Sequence, residues 1–300
     1  MNANLPLVTA VLVCWNHERF VRASILAAVR QTYPNIQLIV FDNDSSDGSR
    51  KIIEPLAEEY GFTFISQPNV GLVKTLNRAL GMARGKYFTL LATDDVWLLD
   101  KIERQVGFME REPGVDMVCG NVVMIDQDDQ LTGIQASHRQ RQEVTFKYLM
   151  EVGNAVQGST VMMRTQALLD EGGYDETIRV EDFALALRFA NHGRRIAHTG
   201  EVYTLYRRHL NNWTSRPLFE ELREIGHAYR TKPEYRCYIR RSLNGYFRKL
   251  ASENKREAIR LLLSEPIAWS FSDVGVGLIK MLVPNATLKI YKQRPRARSC

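Results

Sequence analysis

Between Leu7 and Ala92 the chain runs strand, helix, strand, helix, strand, helix, strand, and this alternation constrains its fold more than any other feature. Leu7-Val-Thr-Ala-Val-Leu-Val13 is β-branched and almost continuously apolar, the mark of a strand covered on both faces. Glu18 to Gln31 then places Val21, Ile25, Leu26 and Val29 at helical spacing, and Tyr33-Pro34 stops it. Gln37-Leu-Ile-Val-Phe41 is a second strand, closed by the polar cluster Asp42 to Gly48. A helix over Ser49–Tyr60 ends at Gly61, where a left-handed residue is expected. Phe62–Ser66 is a third strand, Gly71–Ala83 a third helix and Tyr87–Leu91 a fourth strand. Right-handed crossovers of this kind build an α/β fold, a mainly parallel central sheet flanked by helices. Such sheets present ligands beyond the carboxyl ends of their strands.

The second half is more mixed. Val115–Ile125 and the turn-rich Asp126–Gly133 read as a strand pair, and Ser159–Met163 as a further strand. Val144–Glu151, Phe183–His192 and Trp97–Val106 read as helices. From Leu218 onward the pattern is helical and basic. Arg216 to Cys300 holds 18 Lys and Arg against 8 Asp and Glu, so the residues before it are mildly acidic despite a net charge of +6 for the whole chain. That argues against a nucleic-acid-binding core and is compatible with a tail that meets anionic lipid or an acidic partner. The weak boundary near Trp213–Pro217 suggests a body over 1–215 and a helical basic region over 216–300. The four cysteines are scattered without metal-ligand spacing, which suits a reducing compartment. No apolar run approaches the roughly 20 residues of a membrane helix, and no signal peptide is recognisable, so a cytoplasmic protein is expected.

Chemistry concentrates at the strand ends. Asp94 and Asp95 follow the fourth strand, and two adjacent carboxylates repel unless a cation or hydrogen-bond donors stand between them. A helix cap explains one of them and leaves the other without a role. A divalent metal carrying a phosphate group explains both. Cys14, Trp15 and Asn16 end the first strand and Asp42 ends the second. The Trp15 indole and the Asp42 carboxylate suit a pyrimidine base, by stacking and by accepting its ring N–H; a core indole and a turn-forming Asp remain the ordinary alternative. Glu181-Asp182 precedes a helix, where acids favour the dipole, and one carboxylate there also suits a general base. Lys74 lies one turn before Asn77 and is explained equally well by a solvated face. His17, His138, His192 and His198 have no context that lifts them above ordinary roles.

The ordered motifs from Thr9 to Trp213 resemble the family 2 glycosyltransferases, which have the GT-A fold. They are Trp15-Asn16 after an apolar strand, Gln31-Thr-Tyr-Pro34, Asp42 to Ser49, Asn69-x-Gly71 with Asn77, Gly85-Lys-Tyr87, Asp94-Asp95, Gly172-Gly-Tyr-Asp175, Glu181-Asp182 and Tyr206-Arg-Arg-His209. The resemblance implies an inverting hexosyltransferase that uses a nucleotide-sugar donor and Mn²⁺ or Mg²⁺. It implies that Cys14, Trp15, Asn16, Asp42, Asn77 and Asp94 meet the nucleotide, that Asp95 and a late His209 hold the metal, and that Asp182 is the base with Glu181 beside it. The family's metal motif is often Asp-x-Asp-Asp; here Ala92 stands where its first carboxylate would be, which unsettles the roles of Asp94 and Asp95.

Within that family the chain looks most like bacterial lipopolysaccharide-core rhamnosyltransferases, which implies a dTDP-L-rhamnose donor. A UDP-sugar-dependent enzyme of O-antigen or capsule synthesis is the alternative. A saccharide or lipid-linked saccharide acceptor fits the basic tail, and Ser270–Val283 suits either an inner-membrane surface or packing on the body. A nucleotidyltransferase should show a Gly-rich basic loop that Val13–His17 lacks. A non-catalytic sugar-nucleotide scaffold is argued against by Asp95, Asp182 and His209. No G-x-G-x-x-G follows the first strand, which speaks against a dinucleotide-dependent oxidoreductase.

Overall fold

The computed structural model describes residues 5–135, 138–209 and 219–264. The alternation predicted from the sequence is present as β1 (Val8–Cys14), α1 (Val21–Val29), β2 (Ile36–Asn43), α2 (Ser49–Tyr60), β3 (Thr63–Gln67), α3 (Leu72–Met82) and β4 (Tyr87–Ala92). These four strands are parallel, in the order β3-β2-β1-β4. Every residue of β1 is buried, as its unbroken apolar run requires. Because chain order reverses at β1, the crevice beyond the ends of β1 and β4 is the topological switch point where such sheets take ligands.

The sheet continues with strands of mixed direction. They are β5 (Val96–Trp97), β6 (Met117–Ile125), β7 (Leu131–Gln135), β8 (Gln142–Glu143), β9 (Met162–Arg164) and β10 (Ile196–Arg207). β9 joins β4 to β6, both antiparallel, and β10 lies parallel to β6 with β5 at the edge. Around them lie α4 (Lys101–Arg111), α5 (Phe146–Glu151), α6 (Thr165–Asp170) and α7 (Glu181–Asn191). The first compact unit comprises Met1–Leu149 and Gly153–Trp213; the second comprises Met150–Val152 and Thr214–Cys300. In the second, α8 (Phe219–His227), α9 (Tyr235–Glu253) and α10 (Lys255–Ser264) form the described part. Phe247, Leu250, Ala251 and Ala258 make a small core of its own. The boundary expected near Trp213–Pro217 and the segment Ser270–Val283 lie outside the described residues.

Two expectations are corrected, and one strand was not expected. Trp97 does not open a helix: Val96 and Trp97 pair with Leu205 and Thr204, and the Trp97 indole donates to the Ser159 carbonyl at 2.8 Å, so α4 starts only at Lys101. Lys101 itself is buried, donating to Thr89 Oγ1 and Gln105 Oε1, each at 2.8 Å, with its ammonium 4.4 Å from the Trp97 ring centroid. Burial pushes this amine well below its ordinary pKa. Ser159 and Thr160 form a 3₁₀ turn, leaving Met162–Arg164 as the strand. The twelve residues of β10 lack a clean period of two because register shifts interrupt them between His198 and Thr204.

Gly85 lets β4 enter the sheet. A Cβ there would lie 2.4 Å from the Thr9 nitrogen and 2.8 Å from the Leu7 carbonyl oxygen, both main-chain atoms of or next to β1. Overpacking against backbone leads us to expect that Gly85→Ala lowers stability by about 2–3 kcal/mol. Urea unfolding checks it; an unchanged midpoint would show that β1 and β4 can separate without cost.

Candidate active site

Two cradles form at the ends of β1 and β2. Asp42 is buried; its carboxylate accepts the Ser45 hydroxyl and, at 3.2 Å, the Ser45 amide. Asn16 sits at φ 57°, a left-handed conformation Asn tolerates better than most residues. Its Oδ1 accepts the Ser46 amide at 2.8 Å while its own amide donates to Ser45 Oγ at 2.9 Å. The structure therefore brings Asn16 and Asp42 together through Ser45-Ser46. Trp15 is 50% exposed, so its indole is a surface available for stacking and not a core residue. Cys14 lies beneath, buried, and burial raises its thiol pKa.

Asp94 and Asp95 face different ways. His209 Nε2 is 3.1 Å and His17 Nε2 3.9 Å from Asp94 Oδ2, and ligand atoms of these three side chains lie within 4.8 Å of one another. Asp95 is 3% exposed and turns inward, where its Oδ1 accepts the Arg207 amide at 2.8 Å. Burial and the neighbouring Asp94 charge push the Asp95 carboxyl well above its ordinary pKa, outweighing that hydrogen bond. For Asp94, burial works the other way from its neighbours, and the His209 hydrogen bond with the two imidazoles holds its pKa below the ordinary range. The two adjacent acids are thus pushed in opposite directions, Asp94 down and Asp95 up. Asp94, and not Asp95, which was expected on the metal, faces the two imidazoles, while the Arg207 amide holds the Asp95 carboxyl.

His17, set aside on sequence grounds, belongs with Asp94 and His209. Its Nδ1 is 2.9 Å from Thr93 Oγ1, and burial lowers its pKa despite the Asp94 charge, which favours the neutral ring that binds metals. The signal that could have found it is its place three residues past β1, at the same sheet end as Asp94. Two imidazoles and one carboxylate are donors suited to Mn²⁺ or another borderline divalent ion, so the residues present fit the implied metal.

Asp182 and Glu181 open α7 and are half-buried. Asp182 accepts the Gly158 amide at 3.2 Å and the Phe183 amide at 2.6 Å. Burial, then the Asp182 charge, pushes Glu181 up to about 8, and burial raises Asp182 despite those amides. Gly158 and Ser159 are adjacent, so the turn that holds Asp182 also holds Trp97, two residues past Asp95. The buried phenol of Tyr174 stands beside the pair, its pKa driven well up by burial and by both carboxylates. Asn77, expected to meet the nucleotide, is bonded to the Gly172–Asp175 loop and Glu176. Its amide bonds both the carbonyl and the amide of Tyr174, at 2.9 and 2.8 Å, and meets Glu176 Oε1 at 3.0 Å. It fixes the Gly172–Asp175 loop. A cavity of about 260 Å³ at the amino ends of β6 and β10, lined by Val115, Arg141 and Arg195 among others, holds none of these residues.

Comparison with known proteins identifies the family and the fold. The family profile described as Glycosyl transferase family 2 matches residues 9–192. The UDP-Glc:alpha-D-GlcNAc-diphosphoundecaprenol beta-1,3-glucosyltransferase WfaP of Escherichia coli is 27% identical over 259 residues, covering 85% of this chain and 100% of the relative. A second E. coli enzyme of the same description, WfgD, is 26% identical and covers 60% of this chain and 68% of the relative. S. aureus TarS 1-349 in complex with UDP-GlcNAc superposes with a TM-score of 0.67 at 17% identity, over 96% of this chain and 92% of the other. The mannosyltransferase PcManGT of Pyrobaculum calidifontis, in complex with GDP-Man and Mn²⁺, gives 0.61 at 17% identity, over 96% and 81%. These structural likenesses bear out the GT-A arrangement.

Proposed function

The chain belongs to glycosyl transferase family 2, and on that premise we propose that it transfers a hexosyl group from a nucleoside-diphosphate sugar to an acceptor hydroxyl, inverting the anomeric carbon. The observation that carries the reading is the His17–Asp94–His209 cluster next to the Asp42–Asn16 cradle beyond the sheet's switch point, with Asp182 bonded to the turn that also holds Trp97. Asp182 takes the proton of the acceptor hydroxyl as its oxygen attacks the anomeric carbon. The bond to the nucleoside diphosphate breaks on the opposite face, so one displacement inverts the centre. Glu181, with its raised pKa, stays protonated near neutrality and leaves the negative charge to Asp182. A divalent ion, when bound by Asp94, His209 and His17, supplies positive charge to the departing diphosphate. Trp15 and Asp42 hold the base by stacking and by accepting its ring N–H.

For the donor, the E. coli relatives named for UDP-Glc favour a UDP-hexose. The dTDP-L-rhamnose expected from the sequence has no counterpart among them and is kept as a rival donor. The same names favour a saccharide on a polyprenyl diphosphate as acceptor, in bacterial surface polysaccharide synthesis. None of the described helices is long and apolar enough to cross a membrane. Helix α9 has Arg236, Arg240, Arg241, Arg248 and Lys249 against Glu253, which suits contact with an anionic membrane surface. The test is turnover of UDP-Glc, UDP-GlcNAc and dTDP-L-rhamnose with Mn²⁺ and a GlcNAc-diphospholipid acceptor. The expected result is transfer from a UDP-hexose. Preference for dTDP-L-rhamnose would overturn the donor assignment, and binding without any turnover would favour a scaffold.

A further inference from the structure

Arg207 ends β10 with its side chain 1% exposed, and no part of the proposed chemistry uses it. Its contacts nevertheless converge on the cluster. Nε donates to the Asp94 carbonyl at 2.8 Å, and the main-chain amide donates to Asp95 Oδ1 at 2.8 Å. The guanidinium carbon lies 4.6 Å from the centroid of the Phe20 ring, and that ring's centroid is 5.1 Å from that of the His209 imidazole. The other end of the fork reaches the turn between β6 and β7. There Nη1 donates to the Asp126 carbonyl at 3.0 Å and pairs with Asp129 Oδ1 at 2.6 Å. Asp129 is a surface residue, its side chain 74% exposed, yet its backbone holds the left-handed φ of 63°. A buried guanidinium is tolerated only when its donors are matched, and the planar fork transmits geometry between the groups it bridges.

We propose that Arg207 and Asp129 are a positioning pair that fixes the Asp94 carboxylate against His209 for a divalent ion. The inference rests on the reading that Asp94 and His209 hold that ion. Asp129 anchors one end of the guanidinium at the hairpin turn, and the other end holds the main chain of Asp94. Without the anchor the fork can rotate, and the Asp94 carboxylate loses its fixed orientation toward both imidazoles. Partners one step removed from a metal ligand change affinity by about 10- to 100-fold when removed.

Calorimetric titration of Mn²⁺ into the full-length wild type, Asp129→Ala and Arg207→Lys tests it, with initial rates measured against Mn²⁺ concentration. Asp129→Ala is expected to weaken Mn²⁺ binding about tenfold in a chain that still folds, with a lower thermal midpoint because the buried guanidinium loses its carboxylate. Its kcat at saturating Mn²⁺ should return close to wild type, a split that general loosening of the fold would not give. Arg207→Lys keeps the charge but loses the fork, and should weaken binding further. If it fails to fold, Asp129→Ala decides alone. Wild-type Mn²⁺ affinity in folded Asp129→Ala overturns the pair. A wild-type chain that binds no Mn²⁺ overturns the reading of the metal site itself, and the pair falls with it.

Discussion

Asp182→Asn is expected to lower kcat by about 10³-fold while leaving donor binding within a factor of a few, the loss typical of a removed general base. The amide keeps an acceptor for the Gly158 and Phe183 amides that hold the native carboxylate, so the loop has no reason to move. At about 1.4 kcal/mol per decade this is roughly 4 kcal/mol of barrier. The wild-type pH profile carries a second signature. Both carboxylates of the pair have raised pKa values, Glu181 at about 8, so the pair still carries a proton near neutrality. A base works only when ionised, so kcat/KM should fall as pH drops through the raised pKa of Asp182, above the range of an ordinary carboxylate. Glu181→Gln replaces a carboxyl that is already protonated near neutrality, so it should leave that limb in place. Normal transfer by Asp182→Asn, measured by release of nucleoside diphosphate, would remove Asp182 from the role. Loss of the limb in Glu181→Gln would assign it to Glu181 and not to Asp182.

The second large effect separates two neighbours. Asp94→Asn should abolish measurable Mn²⁺ binding and reduce kcat/KM by about 10³-fold, since a metal or donor that stabilises developing charge contributes on that scale. Asp95→Asn should retain Mn²⁺ binding within about tenfold, because the native carboxyl is buried away from the imidazoles with the Arg207 amide as its donor. An Asn side chain offers the same acceptor. Parallel titrations of both variants decide it, and equal loss of Mn²⁺ in the two would return the metal to Asp95.

The contrast shows where reading the sequence stops. Periodicity and strand ends are local properties, so α2 was predicted over the same residues and β1 to β4 within two residues. The acids at Asp42, Asp94 and Asp182 were legible for the same reason: each stands at the end of a strand or the start of a helix whose pattern is plain. His17 was not, since a lone imidazole gains meaning only when a second strand brings a carboxylate to it. Asn77 carried a familiar spacing but makes contacts 97 residues away that turn it into a loop anchor. β10 was missed because its register shifts break the alternation that marks a strand.

By itself the sequence determined the alternating α/β architecture, the parallel direction of its first four strands and the sheet end where acids gather, since each follows from spacing along a few residues. Only the tertiary structure decided which of two adjacent aspartates faces the imidazoles and which is buried against the last strand. That choice depends on a main-chain amide 112 residues from Asp95 and an imidazole 115 residues from Asp94, both delivered by the last strand of the sheet. Side-chain direction and pKa within a dipeptide are fixed by burial and by partners in space, and neither is a property of local spacing.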